Sequence, residues 1–190
     1  MGDIVGILLA AGFGRRFGRD KRLVEIDGVP LAVHSARKLR AACARTIVVL
    51  RPEDDALADH PGLRECTVVR CADAERGMGH SLAAGVAASE DAAGWLIALA
   101  DMPSIDPASY RAVVDSLQAG ASLAQPSYRG RPGHPVGFAA AWRDSLLALD
   151  GDIGARELIR SAGTARIVCP VDDPGIHRDI DLPSDLELTR

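Results

Sequence analysis

Five cations crowd one short stretch of the sequence. Arg15, Arg16, Arg19, Lys21 and Arg22 follow a turn that carries Gly12, Gly14 and Gly18, and the turn itself interrupts an apolar run from Ile4 to Ala10. Glycines let consecutive backbone N–H groups turn inward and approach an anion closely. Arg16 and Lys21 add the positive charge that a triphosphate requires. These residue types in this order therefore suggest phosphate binding. Two common phosphate-binding patterns do not fit. The spacing is G-x-G-x-x-x-G, and Phe17 stands where the dinucleotide motif takes a small residue. The next apolar run ends in "LRPED" without a convincing ribose-binding acid, and Gly18 is followed by Arg-Asp-Lys rather than by Lys and Ser or Thr, so the Walker pattern fails too.

The elements that must position this turn can be read from the apolar runs. Residues 4–10, 46–50, 66–70 and 95–100 are short and apolar, as strands covered on both faces are. Pro30 suits the first turn of a helix through "LAVHSARKLRAACA". Residues 79–92 predict a helix of small residues able to pack closely, and Asp106 with Pro107 predicts the cap and first residue of the next. "SLAQP" predicts a fifth strand. Beyond Tyr128 the pattern weakens into a loop entering a strand ("YRGRPGHPVGF"), short helices in "RDSLLAL" and "ARELIRSA", and a strand in "ARIVCPV". Strands alternating with helices predict an α/β fold: a three-layer α/β/α sandwich on a Rossmann-like, mostly parallel sheet. In such sheets ligands bind beyond the carboxyl ends of strands. That directs attention to residues 11–22, 70–80 and Asp101.

Composition bounds the rest. The chain of 190 residues is 47% hydrophobic and 25% charged, which is ordinary for a globular protein with its own core. No repeat or linker divides it, so one domain over residues 1–190 is expected. A net charge of −4 gives no bulk attraction to nucleic acid or anionic lipid. Cys43, Cys66, Cys71 and Cys169 have no metal-knuckle or redox spacing. With no signal peptide and no run long enough to span a bilayer, the expectation is a cytoplasmic protein with no nucleic-acid or membrane partner.

"LLAAGFGRRFGRDK" resembles the signature of the sugar-nucleotide-type nucleotidyltransferases, and most closely that of molybdenum cofactor cytidylyltransferase and its MobA-like relatives. "RGMGHSLAAGV", "LADMP", "RGRPGHPVGF", "GDIGAR" and "RDIDLPSDL" resemble five further segments of the same families, in the same order. Phe17 replaces the commoner Met, Leu182 replaces the usual Thr after D-I-D, and Ser184 replaces a common acid. The resemblance implies the nucleotide-diphospho-sugar transferase type of sheet. It also implies transfer of a nucleoside monophosphate from an NTP to a phosphate of the acceptor, with pyrophosphate released. Such chemistry is mostly positioning and charge stabilisation, assisted by Mg²⁺ bridging the phosphates.

On this resemblance Arg16, Lys21, Asp101 and Asp181 are the expected catalytic residues, with Asp101 and Asp181 as metal ligands. Asp101 follows a buried run, where an acid is poorly placed for packing. Asp179 rivals Asp181, since alternate residues of an extended D-I-D share a face. Arg19 and Arg22 read as solvated. Leu9, Ala10, Ala11, Gly12 and Gly14 would meet the nucleotide, with Gly77 and Ser81 near the base; a serine at a helix start is otherwise usually a cap. Gly133, His134 and Pro135 would wall the acceptor. No general base is needed, because a phosphate acceptor is already ionised.

The implied partners are CTP or another NTP, a molybdopterin-type phosphorylated pterin, and a client molybdoenzyme or its chaperone. "LAAG" in place of "LAGG" favours CTP, because Ala11 narrows the base pocket. The rival readings are a guanylyltransferase of the same fold and a non-catalytic pterin-binding module. The intact Lys21, Asp101 and Asp181 speak against the second.

Overall fold

A computed structural model describes residues 2–14, 17–18, 20–151 and 155–189. Arg16 and the other two loop arginines, Arg15 and Arg19, lie outside the described residues, as do Asp152, Ile153 and Gly154 of "GDIGAR". The first apolar run forms β1 (Ile4–Leu9), every residue of which is buried. Its side chains alternate between two cores, as the pleat requires. Ile4 and Leu8 face α1 (Leu31–Arg40) and α4 (Pro107–Gln118). Val5, Ile7 and Leu9 face α3 (Met78–Ala87), α5 (Arg143–Leu147) and α6 (Arg156–Ser161). A strand buried on both faces must be apolar throughout, which is why the periodicity of an exposed strand is missing.

Between β1 and α1 lies a two-stranded hairpin, β2 (Glu25–Ile26) and β3 (Val29–Pro30), that the sequence did not announce. The later elements are β4 (Arg45–Leu50), the one-turn α2 (Asp55–Ala58), β5 (Thr67–Arg70), β6 (Gly94–Leu99), β7 (Leu123–Tyr128), β8 (Arg131–Pro132), β9 (Val136–Ala139) and β10 (Arg166–Pro170). The main sheet runs β10-β7-β9-β6-β1-β4-β5, with β8 paired to β7. It is parallel except around β9, which is antiparallel to both β6 and β7, and β8. The expected mostly parallel sheet with helices on both faces is present, and its boundaries fall within a few residues of those predicted.

Two local features set the rim. Asp106 caps α4, accepting from Ala108 N at 2.7 Å with Pro107 behind it, as its sequence position indicated. In α3, Gly85 permits close approach to the sheet: a Cβ there would stand 2.7 Å from Ile7 Cγ2. The chain passes from β1 outward to β4 and β5, then returns through α3 to β6 on the other side of β1. That reversal opens a crevice at the carboxyl ends of β1 and β6. No helix among the described residues is long and apolar enough to cross a membrane.

Candidate active site

A cleft of about 400 Å³ lies at this reversal. Leu9, Ala10, Ala11, Gly12, Gly14 and Lys21 line it from the β1 side, Gly77 and Ser81 from the start of α3, and Asp101 from the end of β6. The first strand continues into the cleft because Ala10 N donates to Val49 O (3.0 Å) and Ala100 N to Leu9 O (3.2 Å). Gly77 opens α3 with φ at 130°, a backbone that side chains other than glycine's rarely adopt. This glycine is the helix N-cap, so Ser81, three residues into α3 and buried, is not a cap; it is a wall of the cleft.

Lys21 joins the two acids. Its Nζ donates to Asp101 Oδ2 at 2.7 Å and to Asp181 Oδ1 at 2.8 Å. The backbone fixes this meeting, since Ile180 N donates to Asp101 O at 2.9 Å. Ser35 Oγ of α1 holds the carbonyl just before it, Ala100 O, at 3.1 Å. Beneath, Phe17, Val24, Leu31 and Ile180 form a small buried cluster that ties the glycine-rich turn to the D-I-D segment. Phe17 is therefore more than a tolerated replacement. Burial alone would lower the pKa of Lys21; the carboxylates of Asp101 and Asp181 outweigh it and hold the ammonium above its ordinary value. Asp179 is not part of this cluster. It lines a neighbouring cavity instead.

Asp101 Oδ1 is buried and accepts no hydrogen bond in the described structure. Two carboxylates, one with a spare buried oxygen, suit an oxygen-seeking divalent ion that completes its shell with phosphate oxygens and water. No group of three His, Cys, Asp or Glu that could hold a metal occurs among the described residues. The two described carboxylates fit a cation shared between protein and nucleotide.

The structure corrects the reading of Arg22 as a solvated cation. Arg22 is 3% exposed. It donates through Nη1 to Ala10 O and Asp54 Oδ2, through Nη2 to Asp54 Oδ1 (2.7 Å), and through Nε to Asp20 Oδ1 (2.8 Å). Arg51 closes the network onto Asp20 Oδ2 and Asp54 Oδ1, both at 2.7 Å. Two arginines and two aspartates thus bolt the segment carrying Lys21 to the end of β4. Breaking such a pair leaves a buried carboxylate short of partners and Ala10 O without its donor. Arg22→Ala should lower stability by about 3 kcal/mol, the low end for a broken buried pair because Arg51 still holds Asp54. The melting temperature should fall by roughly 6–12 °C for a chain of this size; a fall below about 2 °C would contradict the bolting role.

A second cavity, of about 330 Å³, shares Leu99 with the first. Gly133 and His134 line it, with Gln125, Arg131, His177 and Asp179 among their neighbours. Pro135, joined to His134 by a cis peptide, is buried and is not among the lining residues. His134 N donates to Ile176 O at 3.0 Å, which places the loop before β9 against the segment after β10. Burial lowers the pKa of the His134 imidazole, and the pull of Asp101 and Asp179 does not reverse it. The folded protein thus disfavours the protonated ring, while the unfolded chain takes up its proton first on acidification. The stability this contributes is complete above the ordinary value and is lost as pH falls through it toward the folded value. In an NMR titration the His134 ring should protonate below 6.5, the ordinary value; a midpoint at or above it would contradict the burial argument.

Comparison with known proteins identifies the family. Residues 6–179 match the model of the MobA-like NTP transferase domain. The chain is 31% identical to purine catabolism protein PucB of Bacillus subtilis, over 98% of this chain and 96% of that one. It is 30% identical to nicotine blue oxidoreductase of Paenarthrobacter nicotinovorans, over 95% and 96%. A shorter stretch, 55% of this chain and 51% of the other, is 34% identical to a probable molybdenum cofactor guanylyltransferase of Opitutus terrae. Among solved structures, Rv0371c of Mycobacterium tuberculosis superposes with a TM-score of 0.88 at 27% identity, covering 99% of this chain and 97% of that one. A manganese complex of the same protein superposes at 0.81 and 26%, covering 98% and 97%.

Proposed function

Because this chain belongs to the MobA-like NTP transferase domain family, we propose that it is a nucleotidyltransferase moving CMP from CTP to the phosphate of a molybdopterin-type acceptor. The observation that carries this reading is the Lys21 ammonium held between Asp101 and Asp181 on the wall of a glycine-edged cleft. In the proposed reaction an acceptor phosphate oxygen forms a bond to the α-phosphorus. The bond from that phosphorus to the bridging oxygen breaks, and pyrophosphate leaves. A divalent cation, Mg²⁺ here, would supply Lewis-acid polarisation and charge neutralisation at the phosphates. Asp101 and Asp181 would hold it. The manganese complex of Rv0371c is consistent with a divalent ion in this fold.

The remaining roles fall to the chain's own residues. Backbone N–H groups at Gly12 to Gly14 cradle the triphosphate, and Arg16 with Lys21 offsets its charge. Ala10 and Ala11, with Gly77 and Ser81 opposite, meet the base and ribose. The acceptor lies in the second cavity, with Gly133 and His134 as its wall. His134, disfavoured as a cation, acts there by shape and not by proton transfer.

The preference for CTP rests on Ala11, which is buried and lines the cleft. A packed methyl group shortens the base pocket, which disfavours a purine. The test is competition between CTP and GTP, read as the ratio of specificity constants. Wild type should favour CTP, and Ala11→Gly should move the ratio toward GTP by roughly tenfold, the scale of one methyl-sized change in a pocket. A wild-type ratio favouring GTP would make the protein a guanylyltransferase, as the Opitutus terrae relative is named. Pyrophosphate release assayed with four NTPs, with and without molybdopterin and Mg²⁺, tests the wider reading. Tight pterin binding without release in any arm would leave a non-catalytic binding module.

A further inference from the structure

We infer that in the nucleotide-free protein Lys21 keeps the divalent cation's place, so that ammonium and metal ion compete for Asp101 and Asp181. The inference rests on the proposed role of those two acids as metal ligands. Asp101 Oδ2 and Asp181 Oδ1 accept from one nitrogen, at 2.7 and 2.8 Å. An ion ligated by both acids must come within about 2.0–2.6 Å of an oxygen of each. An ion on the two oxygens that Lys21 holds, Asp101 Oδ2 and Asp181 Oδ1, then enters the space that Nζ fills. The buried Asp101 Oδ1 is spared by the lysine, but it gives the ion a ligand from one acid only. No alternative cluster of three acids, histidines or cysteines exists among the described residues to receive the ion.

The arrangement resolves a problem that the two acids pose without a metal ion. Two carboxylates this close repel each other unless a cation lies between them. A lysine suits a temporary occupant, since it is a point charge on a flexible four-carbon stem. Its backbone has little freedom, because the adjacent Arg22 is buried and bonded to Ala10 O and Asp54. Only the Lys21 side chain has to swing. A triphosphate arriving over the glycine turn offers the ammonium new anionic partners, and its departure releases the oxygens it held, Asp101 Oδ2 and Asp181 Oδ1. Metal affinity is thereby coupled to nucleotide beyond the nucleotide's own chelation, and the coupling is reciprocal.

The test measures Mn²⁺ binding to the nucleotide-free protein by electron paramagnetic resonance of the unbound ion. Lys21→Met keeps the length of the stem and removes the charge. It should bind Mn²⁺ at least about tenfold tighter than wild type, as relief of contact-distance repulsion between cations predicts. Adding Asp101→Asn should abolish the gain. Equal affinity in wild type and Lys21→Met overturns the competition and leaves the metal role standing. Failure of both to bind Mn²⁺, even with CTP present, removes the metal role as well. Wild type provides a second readout should Lys21→Met fail to fold. The nitrogen-15 signal of Lys21 Nζ should lose its carboxylate-bound shift as Mg²⁺ saturates the site. A signal unchanged at saturation refutes the shared place.

Discussion

Asp101→Asn is expected to lower kcat by roughly a thousandfold, because Lewis-acid stabilisation of a phosphoryl centre is worth several kcal/mol. The substitution preserves shape, and an amide oxygen still accepts from Lys21 Nζ, so the cleft should keep its form. What it removes is the negative charge that would draw a divalent cation to the end of β6. Circular dichroism and melting should remain near wild type, since Asp101 is partly exposed and its backbone contacts, Ile180 N to Asp101 O among them, do not depend on the side chain. Single-turnover pyrophosphate release checks the chemical step. Turnover within a few-fold of wild type in Mg²⁺ would take the metal away from this residue.

Lys21→Met should cost about a hundredfold or more in kcat, the usual loss when one preorganised charge is removed from a developing anion. The KM for NTP should rise by much less. That split identifies an interaction made mainly in the transition state; a rise in KM at constant kcat would make Lys21 a uniform binder of triphosphate. The same variant is the one expected to gain Mn²⁺ affinity. A lysine that only organised the empty site would show the gain without the loss.

Much of this arrangement was legible in the sequence, and for identifiable reasons. The strands β1, buried throughout, and β6, buried except at Leu99, are unbroken apolar runs, so a charged residue just beyond either one is conspicuous, and Asp101 was found that way. The glycine turn drew attention through the cations after it, and the structure places Gly12, Gly14 and Lys21 on the cleft. Arg22 was misread because a run of cations carries no label for the one that turns inward. Its decisive partner, Asp54, lies 32 residues away and gives no local signal. The choice between Asp179 and Asp181 also depended on geometry. Alternate residues of an extended segment share a face only while the segment stays extended, and here Asp181 reaches Lys21 whereas Asp179 lines the neighbouring cavity. The hairpin at residues 25–30 has strands of two residues each, too short to show a period.

The antiparallel course of β9 has an architectural consequence. Because Ile97 pairs with Val136 and Gly94 with Ala139, β9 begins where β6 ends. Gly133 and His134 thus reach the shared rim on a loop that enters a strand, whereas the side of the rim that carries the glycine turn and Asp101 is built from loops that leave strands. The loop is closed at its base by the pairing of Ser127 with Pro132 and of Tyr128 with Arg131. Its two ends are anchored in the sheet, and it packs on the segment after β10 through the His134 N to Ile176 O bond. Apart from Gly133, where a Cβ would stand 2.5 Å from Ile176 O, its sequence can diverge, or be exchanged by design between Tyr128 and Val136, without moving Lys21, Asp101 or the glycine turn. A scaffold of this kind can keep one donor chemistry while trying new acceptors, altering a single hairpin at a time.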